Sequence, residues 1–228
     1  MVEDVADPVA FNETICKGAL ELREKLRGFV TPMVETTTPE LTTHYRQDGS
    51  AIYLFAINGK RTFGDYFGPW KHVCEKGMPL QAGLDIRCRA GAVYDLVSHT
   101  PVRFTSYKEH THLDLEYETT GGKLFLFLPS PIAKVMLVTP ANAELGQPFV
   151  FSARVYDANG KRMECLLPLE ITVESPDGKT DDCCYGTLLN SQYSQTVIPP
   201  LNASAGAWRV TVKELASGKS ATGIIAVK

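Results

Sequence analysis

The stretch Leu124-Phe-Leu-Phe-Leu-Pro-Ser-Pro-Ile-Ala-Lys-Val-Met-Leu-Val138 organises the chain on both sides of it. Two short runs within it, Leu124–Leu128 and Val135–Val138, are apolar at successive positions, the pattern of strands buried on both faces. Between them Pro129 and Pro131 each remove a backbone donor and fix φ, so one sheet ends there and another begins. This predicts a short, stiff junction between two β-domains.

Downstream of the junction the period is two. Phe149, Phe151, Ala153 and Val155 alternate with polar residues, as do Leu169, Ile171 and Val173, then Trp208, Val210 and Val212. Asn159-Gly160, Pro176-Asp177-Gly178 and Ser217-Gly218 supply turns. About seven strands in roughly 95 residues predict an immunoglobulin-like sandwich over 132–228.

Upstream, Ala51–Ile57 is apolar on both faces and Asn58-Gly59 follows it as a turn. Leu84, Ile86 and Cys88 alternate with Asp85, Arg87 and Arg89, and Leu113, Leu115 and Tyr117 with Asp114 and Glu116. Short strands at regular spacing predict a second antiparallel sandwich over 40–129.

Residues 1–39 read as a helix and a linker. Asp7 is a good N-cap, Pro8 suits the first helical position, and Gly28 stands where the helix stops. Phe11, Ile15, Leu22, Leu26 and Phe29 recur at helical spacing over 7–29, with Ala19 on the same face. That stripe has to bury itself. Either it lies across the first sheet, or it closes a preceding domain absent from this chain. The fold class is therefore all-β, an N-terminal helix followed by two antiparallel sandwiches.

The 228 residues carry a formal net charge of −3, with Lys and Arg scattered and not striped, which argues against a nucleic-acid surface. No run reaches the roughly 18 apolar residues of a membrane span. The start, MVEDVADPVAF, lacks the basic and apolar regions of a signal peptide, and is read as the beginning of a piece cut from a longer protein. The six cysteines contain no CxxC pair, so a structural zinc site is not supported. Cys183 and Cys184 are adjacent; one of them pairs with Cys165 if the protein is exported, or all six are buried or free thiols.

Two groups of segments resemble known families. AIYLFAINGKRTFGDY, GAVYDLVSHTPV and HLDLEYETTGGKLFLFLP are similar to the C-terminal β-sandwich of large bacterial beta-galactosidase-type glycoside hydrolases, through Val93-Tyr94-Asp95-Leu96 and Leu126-Phe127-Leu128-Pro129. LGQPFVFSARVYDANGK and GAWRVTVKELASGKSATGIIAV resemble the immunoglobulin-like or macroglobulin-like modules of secreted enzymes and surface proteins. Together they cover about residues 40–228. The resemblance implies a non-catalytic accessory region of a larger extracytoplasmic protein, with a neighbouring domain of the longer chain as partner. It supplies no catalytic residue and no cofactor, because that family's two carboxylates belong to a barrel domain.

The stretch 59–79 is the least sandwich-like part and reads as a long loop, a common place for function. Tyr66, Phe67 and Trp70 are candidates to stack on sugar rings, with Asp65 and Arg61 hydrogen-bonding hydroxyls of a polysaccharide. The bland alternative is that these rings seal the end of the sandwich or dock on a missing domain. His110 and His112, two apart on one strand face, are weighed as metal ligands with His44, His72 or His99 as a third, against an ordinary polar face; no metal site is adopted. Asp181-Asp182 with Asp157 or Asp177 lacks the spacing of a calcium loop. Asp114, Glu116 and Glu118 read as a solvated face, not as a pair of acids about 5–10 Å apart in a cleft.

Overall fold

The computed structural model describes residues 8–67 and 72–228. Among these residues it is an all-β protein with one helix and several sheets that are antiparallel but for one short parallel pairing. The helix α1 spans Pro8–Leu26, with Arg23 and Lys25 in its last turn, where cations suit the exposed carbonyl end. The amides of Phe29 and Val30 both donate to Leu26 O as the chain leaves the helix around Gly28. The expected cap, Asp7, lies outside the described residues.

In chain order the first strands are β1 (Val34–Thr36), β2 (Leu41–Asp48), β3 (Ala51–Asn58), β4 (Arg61–Phe67), β5 (His72–Gly77) and β6 (Leu80–Ile86). Next come β7 (Ala92–Asp95), β8 (Thr100–Pro101), β9 (Thr105–Tyr107), β10 (His110–Tyr117) and β11 (Gly122–Leu128). They form a four-stranded sheet β1-β6-β10-β9, a five-stranded sheet β2-β3-β11-β7-β8, and a separate pair β4-β5. After Pro129-Ser130-Pro131 the chain enters another sheet, as the two prolines require. There β12 (Ile132–Val138), β13 (Asn142–Ala143), β14 (Phe149–Asp157), β15 (Pro168–Glu174), β16 (Thr180–Thr187), β17 (Tyr193–Val197), β18 (Gly206–Glu214) and β19 (Ser220–Val227) make two sheets. One is ordered β12-β14-β17 and the other β13-β19-β18-β15-β16. The chain changes sheet around Pro140, so β12 pairs antiparallel with β14 while β13 pairs parallel with β19.

Two compact units emerge, and neither is continuous in sequence. The first comprises Met1–Tyr45, Leu54–Ala90 and Arg103–Leu124; the second comprises Arg46–Tyr53, Gly91–Val102 and Phe125–Lys228. This division differs from the expected boundaries 40–129 and 132–228. The reason is burial: Ala51, Ala92, Tyr94, Leu126 and Leu128 belong to the same core cluster as Phe151, Ile171 and Trp208. Tyr94 OH also accepts the Ile132 amide at 3.0 Å, and Asp48 Oδ2 accepts the Leu166 amide at 2.7 Å.

Within the first unit, β6 and β10 pair in register from Thr111↔Ile86 to Tyr117↔Leu80. Leu80, Ala82, Leu84 and Ile86 are buried with Leu113, Leu115 and Tyr117, leaving Gln81, Gly83 and Asp85 beside Glu116, Asp114 and His112 on the other face. The expected linker before β2 supplies a strand as well, since Val34, Glu35 and Thr36 pair with Ile86, Asp85 and Leu84. Asn58, expected as a turn residue, is fully buried. Its Nδ2 donates to Met78 O at 2.7 Å and Glu118 O at 2.9 Å, and its Oδ1 accepts the Lys60 amide at 2.9 Å. One amide thereby ties three turns, its polar atoms satisfied as burial demands.

The second unit is the immunoglobulin-like sandwich. Phe149, Phe151, Ala153 and Val155 of β14, Leu169, Ile171 and Val173 of β15, and Trp208, Val210 and Val212 of β18 form its interior. The Trp208 indole N–H donates to Ser204 O at 2.9 Å, so the largest buried side chain hides no unpaired donor.

Candidate functional site

Three places carry the candidate chemistry. The first is the stretch 59–79, where the described residues of β4 and β5 pair as antiparallel strands instead of the expected long loop. Arg61 pairs with Gly77, Thr62 with Lys76 and Phe63 with Glu75; after a register shift Tyr66 pairs with Val73 and Phe67 with His72. The β-branched and aromatic residues there favour extended backbone strongly enough to outweigh the glycines that suggested a loop. Asp65 falls at the register shift, where a bulge redirects a strand. The Arg61 guanidinium donates to Asn58 O at 3.2 Å and to Lys60 O at 2.9 Å, so its own turn holds it. Asp65, Tyr66 and Phe67 share β4 with Arg61, whereas Trp70 lies outside the described residues.

The second place is the polar face of β6 and β10. His112 Nδ1 donates to Asp85 Oδ1 at 3.1 Å and its Nε2 to Asp114 Oδ1 at 3.2 Å. Both partners are acceptors, so the arrangement suits the imidazolium. Burial opposes that charge, but the hydrogen bonds from Asp114 and Asp85 outweigh it and raise the pKa above its ordinary value. Tyr107 OH donates to the same Asp85 oxygen at 2.7 Å, and the Tyr107 ring stacks on His110 with centroids 5.5 Å apart. Gly83 makes room for the imidazole. A Cβ there would lie 3.1 Å from His112 Cε1 and 2.9 Å from Thr37 Cγ2. Beside the histidine is an open cavity of about 410 Å³ lined by Thr37, Gln81, Gly83, Asp114 and Glu116.

The weighed histidines are not brought together among the described residues. Carboxylates already occupy both nitrogens of His112. His44 sits near Phe55, with centroids 6.5 Å apart, and His99 donates to Leu215 O at 2.6 Å within the second unit. Among the described residues no group of three His, Cys, Asp or Glu is arranged to hold a metal ion. The loose calcium reading fails similarly. Asp181-Asp182 lies in β16 and not in a loop, Asp157 caps its own turn through the Asn159 and Lys161 amides, and Asp177 is engaged by Ser175 and Lys179. Cys165 is not bonded to Cys183 or Cys184; all three are free, as are Cys16 and Cys88. Burial pushes the Cys165 thiol up to about 11, which leaves it protonated and inert.

The third place is α1, whose apolar stripe does not lie across the first sheet, the first of the two expected placements. Cys16, Leu20 and Arg23 form the half-buried side of the helix. The apolar stripe points elsewhere: Ile15 is 53% exposed, Leu22 57%, Leu26 45% and Phe29, just past the helix end, 88%. Between this stripe and the following segment lies an apolar groove of about 360 Å³, lined by Ala19, Leu22, Leu26, Val30, Pro32 and Val34. Its wall is held in place by charge-assisted bonds. Arg23 Nη1 donates to Thr36 O at 2.5 Å, and Arg27 reaches Glu35 at 3.0 Å and Glu24 at 3.2 Å. Periodicity revealed the stripe but not its exposure, because exposure depends on what the rest of the chain presents to it.

No protein-family model matches the chain, and no curated protein matches it. Among solved structures, trypsin-activated alpha-2-macroglobulin from Escherichia coli is 14% identical, with a TM-score of 0.38, over 78% of this chain and 15% of that one. A rhamnosidase from Novosphingobium sp. PP1Y is 12% identical, TM-score 0.34, over 79% and 22%. A CARDB domain from Pyrococcus furiosus is 13% identical, TM-score 0.31, over 43% and 89%. At these identities and scores the likenesses carry no argument about what this chain does. Among the described residues no helix is long and apolar enough to cross a membrane.

Proposed function

We propose that the chain is a non-catalytic accessory region of a larger exported carbohydrate-active or surface protein, and that its work is to dock or space a partner domain. The observation that supports this reading is the outward apolar face of α1. A helix with one apolar stripe normally derives its stability from burying that stripe, and here the stripe borders an open apolar groove. Replacing Leu22 and Leu26 together by Glu tests it. The double variant is expected to keep the urea midpoint of the parent and to lose binding of an environment-sensitive apolar dye. Unchanged dye binding would remove α1 as the docking surface.

A second reading is a carbohydrate-binding role for the β4-β5 hairpin, favoured by its standing as a two-stranded sheet of its own with three aromatic residues on β4. In that reading Tyr66, Phe67 and Trp70 stack on sugar rings while Asp65 and Arg61 bond hydroxyls. Trp70→Ala is expected to abolish retention on a bound polysaccharide with the circular dichroism spectrum unchanged. Equal retention of parent and variant on a panel of polysaccharides would end this reading.

A further inference from the structure

We infer that His112 is a proton-operated latch on the face shared by β6 and β10. With both ring nitrogens protonated it ties Asp85 and Asp114 together; with one proton gone it keeps Asp85 and releases Asp114.

The geometry asks for two donors. Nδ1 lies 3.1 Å from Asp85 Oδ1, and Nε2 lies 3.2 Å from Asp114 Oδ1. A neutral imidazole carries one N–H and one lone pair. It therefore serves one carboxylate and turns its lone pair on the other. Both bonds together belong to the imidazolium alone.

The surroundings decide which bond goes. Asp85 stands opposite His112 in the strand register, its side chain is 29% exposed, and Tyr107 OH donates to the same Oδ1 at 2.7 Å. The Asp114 side chain is 93% exposed, and among the described residues His112 is the partner it has. Water replaces the lost bond of Asp114 at little cost, whereas Asp85 is held on two sides. The ring itself has a close seat over Gly83, where an added Cβ would lie 3.1 Å from Cε1 and 3.7 Å from Nε2. Asp114 is the part that moves.

The charges on the sheet give the proton its leverage. None of the residues of β1, β6, β9 and β10 is Lys or Arg. On this face Asp85 meets Glu35 of β1, itself bonded by Arg27, and Asp114 precedes Glu116, which accepts from Gln81 at 3.3 Å. Tyr107 and His110, stacked on each other, are the other titratable groups there, and Thr105 of β9 pairs with His112. Arg87 and Lys108 stand beyond the strand ends. The His112 proton thus supplies the positive charge between two carboxylates. Burial opposes that charge, and the bonds from Asp114 and Asp85 favour it more strongly, so the latch is closed at 6.5 and opens as pH rises through the folded value. Because Asp114 lines the cavity of about 410 Å³, opening alters both the wall and the charge of that cavity.

Nuclear magnetic resonance of the full chain across this window tests the latch. Imidazole nitrogen shifts are expected to show neutral His112 as the Nδ1–H tautomer, the reverse of the form that free histidine prefers. Three-bond couplings of Asp114 are expected to show one fixed χ1 below the His112 midpoint and averaging among rotamers above it. Asp85→Ala removes the acceptor at Nδ1 and is expected to turn neutral His112 into the Nε2–H tautomer, with an unchanged circular dichroism spectrum as the check on folding.

A neutral Nε2–H tautomer in the parent overturns the latch, because the ring would then keep Asp114. A χ1 of Asp114 that is equally fixed, or equally averaged, on both sides of the midpoint overturns it as well. A folded Asp85→Ala chain that retains the Nδ1–H tautomer overturns the role given to Asp85. If that variant does not fold, the tautomer and the couplings of the parent decide.

Discussion

Two elements of this molecule carry equally regular apolar stripes and meet opposite fates. In β18, Trp208, Val210 and Val212 alternate with Arg209, Thr211 and Lys213, and the three apolar side chains are at 0% exposure. In α1, Ile15, Leu22 and Leu26 recur at helical spacing and stay about half exposed. Periodicity states which face of an element is apolar. Whether that face is covered depends on partners, and β18 has its partners in this chain whereas the α1 stripe has none among the described residues.

Stability measurements sharpen the contrast, and the largest effect belongs to the covered stripe. Trp208→Ala should cost about 3–5 kcal/mol by urea denaturation, through a cavity in the immunoglobulin-like sandwich and an orphaned Ser204 carbonyl. Leu22→Ala should stay within about 0.5 kcal/mol, as for a surface position. Similar losses at both sites would mean that α1 is packed as tightly as β18 and would break the contrast.

Asn58→Ala should follow, at about 2–3 kcal/mol, because it removes three hydrogen bonds from a fully buried amide. Unlike Trp208, this position stabilises through polar satisfaction, so Asn58→Leu is expected to be no rescue. Gly83→Ala should cost about 1–3 kcal/mol, since the new methyl group crowds His112 and Thr37. Loss of the downfield His112 imidazole resonances would report the same displacement.

The smallest effect is a dependence on pH. The His112 pKa is raised in the folded protein, where burial disfavours the charge but Asp114 and Asp85 favour it more strongly. The folded state then holds a proton that the unfolded state gives up near the ordinary value of 6.5. The resulting stabilisation is complete below that value and is lost as pH rises through the folded pKa. Urea midpoints on either side of this window should show the first unit more stable on the acid side, and His112→Gln should flatten the difference. A midpoint that rises with pH across the window, and does so only with His112 present, would reverse the assigned sign.

How much of this was legible in the residues depended on range. The alternations at β10, β14, β15 and β18 are local, and each appears with the buried residues the pattern selects. Pro129 and Pro131 do separate strands of two sheets, because a proline acts on its own backbone. The hairpin at 59–79 was obscured by glycines, which signal turns as well as bulges inside strands. Longer-range facts were hidden for another reason. His112 meets Asp85 through a strand register between residues far apart in sequence, and register is set by the whole sheet. The discontinuous compact units likewise follow from where Ala51, Tyr94 and Leu126 find apolar company, which no window of sequence displays. The exposure of the α1 stripe belongs to this group, and with it the surface to which function is assigned.

Hydrogen exchange of the α1 amides, read against those of β18, tests the central claim most directly. The account predicts fast exchange in α1 and slow exchange in β18. An α1 as protected as β18, in the parent and in Leu22→Glu alike, would contradict it: the helix would then need no partner, and its apolar face would not be a docking surface.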